Sequence, residues 1–293
     1  MLPREILKKV KRIEIKTSRM VNEVFSGEYH SIFRGMGMEF SEVREYQPGD
    51  DIRNIDWNVT ARYGHPYLKI FREERELNVM LIVDLSASQR FGTGERFKME
   101  AAAEITAVLS LAAIKNNDKV GLLVYTDRIE LYIPPQKGKN HVLRLIREIL
   151  YFQPSGRGTD TAAALEYFLG IAKKKSVVFL ISDFIDSGFE KPMGIAARKH
   201  DLIALKLGDS LEMKMPKAGL IRFRDLETGR EYLVDSSSRR FKQLYQKRVI
   251  DRNREFESLT TKKGVDRIYI PTGGDYSIPL IRFFEMRARR IRR

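Results

Sequence analysis

The chain has 293 residues, enough for one large domain or a domain with a substantial appendage. Its 43% hydrophobic and 31% charged residues match an ordinary soluble globular protein, and the lack of cysteine excludes disulfides, thiolate metal sites and thiol catalysis. The net charge of +14 is concentrated at the ends: residues 1–20 and 282–293 each carry +5, leaving +4 for everything between, which argues for two basic ends and against a nucleic-acid-binding face.

The basic N-terminus is followed by no apolar core, so no signal peptide is expected. The longest apolar helix candidate, residues 101–114, contains Glu104 and is too short to span a bilayer. No membrane span and a cytoplasmic location are therefore the expectation, consistent with a cysteine-free chain. Residues 3–25 place Ile6, Val10, Ile13, Met20, Val21 and Val24 at broadly helical spacing, with Gly27 as a stop. That amphipathic helix is expected to pack on the protein itself, because Lys16 and Thr17 break its apolar stripe.

Residues 31–71 gather Arg44, Tyr46, Gly49, Asp50, Arg53, Asp56, the only tryptophan Trp57, and Arg62, with Pro48-Gly49 as a turn signal. Paired Arg and Asp commonly serve structure, so an ion-pair and aromatic knot locking a small subdomain is expected here. The stretch YLKIFREERELNVMLIV then reads as one strand with a polar interruption, running into the central stretch, residues 78–88, NVMLIVDLSAS. A short continuous apolar run rich in β-branched residues predicts a strand buried on both faces. Helices are predicted over 95–116, 140–152, 161–173, 191–200 and 236–263 and from 278 onward, with Ser236 to Ser238 offering N-caps to the long one. Strands are predicted over 119–125, 129–133, 176–182, 201–207 and 266–270, and 218–234 reads as a hairpin around Glu227. Strands alternating with helices predict an α/β fold, a doubly wound, mostly parallel sheet of Rossmann type, with an N-terminal helix and a small β-containing segment ahead of it. The expected organisation is 1–74, then 75–210, then 211–293 continuing the same α/β body.

Three strand ends carry oxygen donors. They are Asp84-x-Ser86-x-Ser88, the helix-entering loop Gly156-x-Gly158-Thr159-Asp160, and Asp183 after SVVFLIS. Ligands bind at the carboxyl ends of strands in open α/β sheets, so side-by-side strands would bring these oxygens to one point. Two carboxylates and three hydroxyls suit a hard cation: Mg²⁺ or Mn²⁺, with Ca²⁺ a further candidate. Low protein charge would leave the ion open to a carboxylate from outside. The simpler role for the same side chains is helix capping.

This set resembles the von Willebrand factor A fold and its metal-ion-dependent adhesion site. The resemblance implies that Asp84, Ser86, Ser88, Thr159 and Asp183 hold a divalent ion whose shell a ligand acid completes. The glycine usual after the last aspartate is Phe184 here. The upstream string Arg44-x-Tyr46-x-x-Gly49-Asp50-x-x-Arg53-x-Ile55-Asp56-Trp57, then Ala61-Arg62, resembles the hallmark of bacterial domain-of-unknown-function family fifty-eight. That resemblance implies a partner, a MoxR-type AAA+ ATPase, and a non-enzymatic adaptor role linking the ATPase to a client protein.

Two other functions compete. A metal-dependent phosphohydrolase is the first, since a strand-end aspartate can be a phosphoryl nucleophile, but the haloacid-dehalogenase pattern wants a second aspartate where Ser86 stands. The basic ends, including RARRIRR, could bind nucleic acid or another acidic surface, although a solvated helix end is the simpler reading. The sequence contains no Walker P-loop, GxSxG or HExxH, so ATP hydrolysis by this chain is not expected. His30, His65, His141 and His200 lie far apart without metal-ligand spacing.

Overall fold

The computed structural model describes residues 38–73, 76–90, 97–209, 212, 218–227 and 229–291, together with Val21. The helix expected over residues 3–25 lies, apart from Val21, outside the described residues. Residues 33–77 form one unit and residues 78–293 belong to the other.

In the smaller unit, β1 (Met38–Glu45) and β2 (Tyr67–Glu73) pair antiparallel. Between them lies the short helix α1 (Trp57–Tyr63). Asp56 starts it by accepting from the backbone N–H groups of Asn58 and Val59, and Gly64 ends it in the left-handed conformation at φ 78°. Gly49 stands at φ 106°, where the turn after β1 requires a residue without Cβ.

The larger unit is built on a six-stranded sheet. Its strands are β3 (Asn78–Asp84), β4 (Lys119–Tyr125), β5 (Ile129–Gln136), β6 (Ser176–Ser182), β7 (Asp201–Gly208) and β10 (Asp266–Pro271). Their order is β10-β7-β6-β3-β4-β5, parallel throughout except for the antiparallel edge strand β5. A doubly wound α/β sheet is thus what the chain forms. β5 turns back because three residues after β4 close a tight connection, in which the Thr126 N–H donates to the Arg128 carbonyl. A parallel neighbour would need a crossover of a dozen residues or more.

Strands β3, β4 and β6 read as continuous apolar runs because both faces are covered. On one face Met80, Ile82, Leu123, Val178, Leu180, Leu202 and Ala204 share a core with residues of α4 (Thr161–Ile171), α5 (Glu190–Lys199) and α6 (Arg239–Lys263). The alternate residues Val79, Leu81 and Val83 are fully buried as well. Helix α2 (Lys98–Lys115) touches β3 and β4 and packs on α3 (Lys139–Tyr151), while α7 (Ser277–Ile291) touches β10. The strands β8 (Leu220–Arg224) and β9 (Glu231–Asp235) make a separate two-stranded hairpin.

The structure corrects one sequence reading. The stretch YLKIFREERELNVMLIV is two strands in two sheets, β2 and β3, not one interrupted strand. The charged run EERE at 73–76 cannot continue a strand buried on both faces, so the chain leaves one sheet before entering the next. Among the described residues no helix is long and apolar enough to cross a membrane.

Candidate functional site

The chain runs outward from β3 through β4 to the edge strand β5, then returns to β6 on the other side of β3. The sheet therefore has its topological switch between β3 and β6, and the crevice outside the strand ends at such a point is where open α/β sheets bind ligands. Asp84 is the last residue of β3 and Asp183 follows the last residue of β6, and both are buried.

Local hydrogen bonding fixes the first loop. Asp84 Oδ1 accepts from the Ser86 N–H at 2.8 Å, and the Ser86 and Ser88 hydroxyls lie 3.0 Å apart. Asp84 Oδ2 accepts from the Ser182 hydroxyl at 2.8 Å and from Gln89 Nε2 at 3.2 Å. Burial and then the neighbouring Asp183 charge push the Asp84 carboxyl up to about 7, against the bonds from Ser86 and Ser182.

The loop carrying Thr159 is tied to this one, since the Ala87 N–H donates to the Arg157 carbonyl at 3.0 Å. Its approach explains Gly156: a Cβ there would stand 2.0 Å from Asp127 Oδ1 and 2.2 Å from Thr126 Oγ1. The Gly156 N–H instead donates to Glu130 Oε1 at 2.7 Å. Thr159 donates its hydroxyl to Glu227 Oε1, on the β8–β9 connection, at 2.8 Å. Asp84, Ser86 and Ser88 thus share one strand end, Asp183 ends the adjacent strand, and Thr159 stands on the adjoining loop.

Sequence reasoning missed the site's internal cation. Lys98, wholly buried in the first turn of α2, donates to Asp183 Oδ2 at 2.9 Å and pairs with Glu212. Burial alone would lower its pKa, but the two carboxylates outweigh it and hold the ammonium above its ordinary value. The available signal was periodicity: Lys98, Ala102, Ile105 and Leu109 lie on one buried stripe of α2. Glu227, 68 residues from Thr159, and Ser182 and Gln89 were also missed.

Phe184 explains its own departure from the resembled pattern. Its φ of 53° is the left-handed conformation that favours glycine. Its buried ring packs 4.6 Å from Phe256 and 5.9 Å from Phe189, measured between centroids, and its N–H donates to the Ser182 hydroxyl at 3.1 Å. Burial of the ring offsets the backbone strain, and the loop keeps the glycine-like turn.

Among the described residues no three of His, Cys, Asp and Glu stand together as a metal-holding group, so a cation at the crevice would depend on hydroxyl oxygens. The donor chemistry fits a hard divalent ion: every group is an oxygen, and two buried carboxylates lie in each other's field. Lys98 already offsets part of that charge on the Asp183 side.

The upstream hallmark residues lie in the smaller unit, where the expected knot only partly forms. Arg44 and Asp50 make a bidentate pair at 2.7 and 2.8 Å, and Asp50 also accepts from the Gln47 N–H. Arg53 pairs with its neighbour Asp51. Asp56 caps α1, and the Tyr46 N–H donates to the Pro66 carbonyl. Trp57 is 69% exposed on the first turn of α1, and Arg62 is exposed on its last. Among the described residues the aromatic contacts of this unit are instead Tyr63 with Tyr67 and His65 with Tyr67. An N-capped helix presents Trp57 outward, so it is surface and not the knot's centre.

Comparison with known proteins gives uncharacterised relatives. Uncharacterized protein Rv1480 of Mycobacterium tuberculosis is 29% identical over 235 residues, covering 78% of this chain and 74% of that one. Among solved structures, the conserved hypothetical protein BatB from Bacteroides thetaiotaomicron is 15% identical with a TM-score of 0.48, covering 73% of this chain and 99% of that one. The SpRpn10 VWA domain is 12% identical with a TM-score of 0.39, covering 70% and 94% respectively. The family described as protein of unknown function DUF58 matches residues 42–255, most of the chain, and the chain belongs to that family.

Proposed function

We propose that the chain is a non-enzymatic protein-binding module whose β3–β6 crevice takes a carboxylate from a partner with the help of a divalent cation. Asp84, Ser86, Ser88, Thr159 and Asp183 would hold the ion, Mg²⁺ by the chemistry of the donors. A bound ion would supply an electrophilic centre with room for an outside carboxylate. The observation that carries the reading is the pair of buried carboxylates at adjacent strand ends, with Asp84 pushed up to about 7 by burial and Asp183.

The chain's own residues support the rest. Ser182, Gln89 and the Ser86 N–H orient Asp84, and Lys98 orients Asp183. A carboxylate of this chain, that of Glu227, accepts from the Thr159 hydroxyl, so an acid fits beside that residue and an incoming carboxylate would compete with Glu227 there. The hallmark string of the smaller unit supports a partner of the MoxR-type AAA+ ATPase class, or a client of such an ATPase, and an adaptor role between them.

The test is affinity capture from native lysate in Mg²⁺ or EDTA, comparing wild type with Asp84→Asn and Asp84→Ala, each checked for folding by circular dichroism. The expected result is an AAA+ ATPase or its client retained only with Mg²⁺ and an intact Asp84. The same proteins retained in every condition would overturn the reading.

A further inference from the structure

Beside this crevice, the carboxyl ends of β6, β7 and β10 and one side of α6 enclose a cavity of about 270 Å³. Its lining includes Lys206, Arg248, Arg252, Tyr245 and Tyr269, and it shares Asp183 with the crevice. Arg248 and Arg252 are one helical turn apart, so both guanidinium groups leave α6 on the same side. Neither has a carboxylate within ion-pair distance among the described residues.

Lys206 reaches the cavity from β7. Its ammonium donates to Asn253 Oδ1 at 2.8 Å and lies 4.8 Å from the centroid of the Phe256 ring. No carboxylate bonds it among the described residues, and burial followed by the Arg252 charge hold it below its ordinary pKa. Two acids of the same lining, Asp183 and Glu212, are both engaged by Lys98. Three cations therefore line the cavity without a direct ion pair of their own among the described residues. Lys206 feels Asp183, Glu212 and Glu257 at longer range, Arg248 and Arg252 stand at exposed positions of α6, and an incoming anion would bridge them. Planar guanidinium forks and an ammonium match a carboxylate, and the shared wall at Asp183 puts one occupant within reach of both places.

We propose that this cavity receives a second carboxylate of the partner, so that the chain recognises an acidic peptide segment and not a lone acid. The proposal rests on the metal-dependent reading of the crevice for the first carboxylate, whereas the cavity itself needs no metal. It gives Arg248, Arg252 and Lys206 the role of selecting an acidic partner.

The probe is a fluorescein-labelled hexaglutamate peptide, followed by anisotropy in Mg²⁺ and in EDTA. Arg248→Gln/Arg252→Gln is compared with wild type, with Asp84→Asn, and with Lys247→Gln/Arg254→Gln, which removes equal charge from exposed positions of α6 outside the cavity lining. The cavity variant is expected to lose about tenfold or more in affinity in both buffers, and the charge-matched control far less. Equal affinity of wild type and cavity variant, or equal losses in cavity variant and control, would overturn the proposal. So would a phosphoserine peptide of the same length binding more tightly than hexaglutamate through the same arginines. Loss in the cavity variant with no effect of EDTA or Asp84→Asn would support the cavity while overturning the metal-dependent reading beside it.

Discussion

Lys98 sets the electrostatics of the crevice at the level of a single residue. Its side chain is wholly buried, Asp183 is nearly so, and the ammonium stands where it neutralises one of the two strand-end acids. Removing one member of a buried pair leaves an uncompensated charge, which costs about 3–5 kcal/mol. Lys98→Met, which keeps length and apolar stem, is therefore expected to lose stability of about that size in EDTA. Mg²⁺ should then stabilise the variant more than it stabilises wild type, because Asp183 has lost its internal cation. Urea unfolding with and without Mg²⁺ reads both effects, and an unchanged midpoint in EDTA would refute the role given to Lys98. A lysine in the first turn of a helix ordinarily reads as solvated, which is why the sequence hid it. Asp84 and Asp183 were legible for the opposite reason: each ends a continuous apolar run, and a carboxylate there has nowhere to be but the strand's end.

At the scale of elements, the start of β6 is pinned to the end of α5. His200, the C-cap of α5, accepts the Ser176 N–H at Nδ1, 3.3 Å away, and its ring packs 4.8 Å from Phe168. Burial, then Lys199 and Lys175, lower its pKa below the ordinary 6.5. A group with a depressed folded pKa binds fewer protons folded than unfolded, so stability rises with pH across the interval between the two values. The contribution is present above pH 6.5 and is lost as pH falls through the depressed folded value. Wild type should lose more stability than His200→Gln between neutral and mildly acidic pH, measured by urea unfolding. Parallel pH profiles for the two proteins would refute it. The strand and helix that His200 joins were legible from apolar periodicity and length, but the bond between them was not, because a buried imidazole and a surface one look alike in sequence. The same limit hid the Glu227–Thr159 contact: a hairpin was visible from its turn, not the loop to which its carboxylate is delivered.

The whole molecule keeps part of its positive charge for its own assembly. Arg287 on α7 pairs with Asp201 at the start of β7 and lies 3.7 Å from Asp266 at the start of β10, and Arg290 pairs with Asp266 at 3.0 Å. The C-terminal run read as a solvated end thus includes a clamp on two neighbouring parallel strands, at the amino ends opposite the crevice. Charge asymmetry between the ends and the body is a property of composition and could be read directly. The clamp joins residues 86 apart and depends on where α7 docks, so it could not. Arg287 is only 12% exposed and Asp201 11%, which places their pair among those whose disruption costs about 3–5 kcal/mol. Arg287→Met should destabilise by about that amount, whereas Arg289→Gln, at an exposed position, should stay within about 0.5 kcal/mol of wild type. Urea midpoints at constant slope separate the two, and equal midpoints would remove the clamp from the account. Deleting residues 287–293 to test nucleic-acid binding would therefore report lost structure as lost affinity. Removing charge at Arg289, Arg292 and Arg293 with Arg287 retained isolates the electrostatic question, and salt-sensitive retention on RNA that vanishes in that variant alone would establish the basic end as a binding surface.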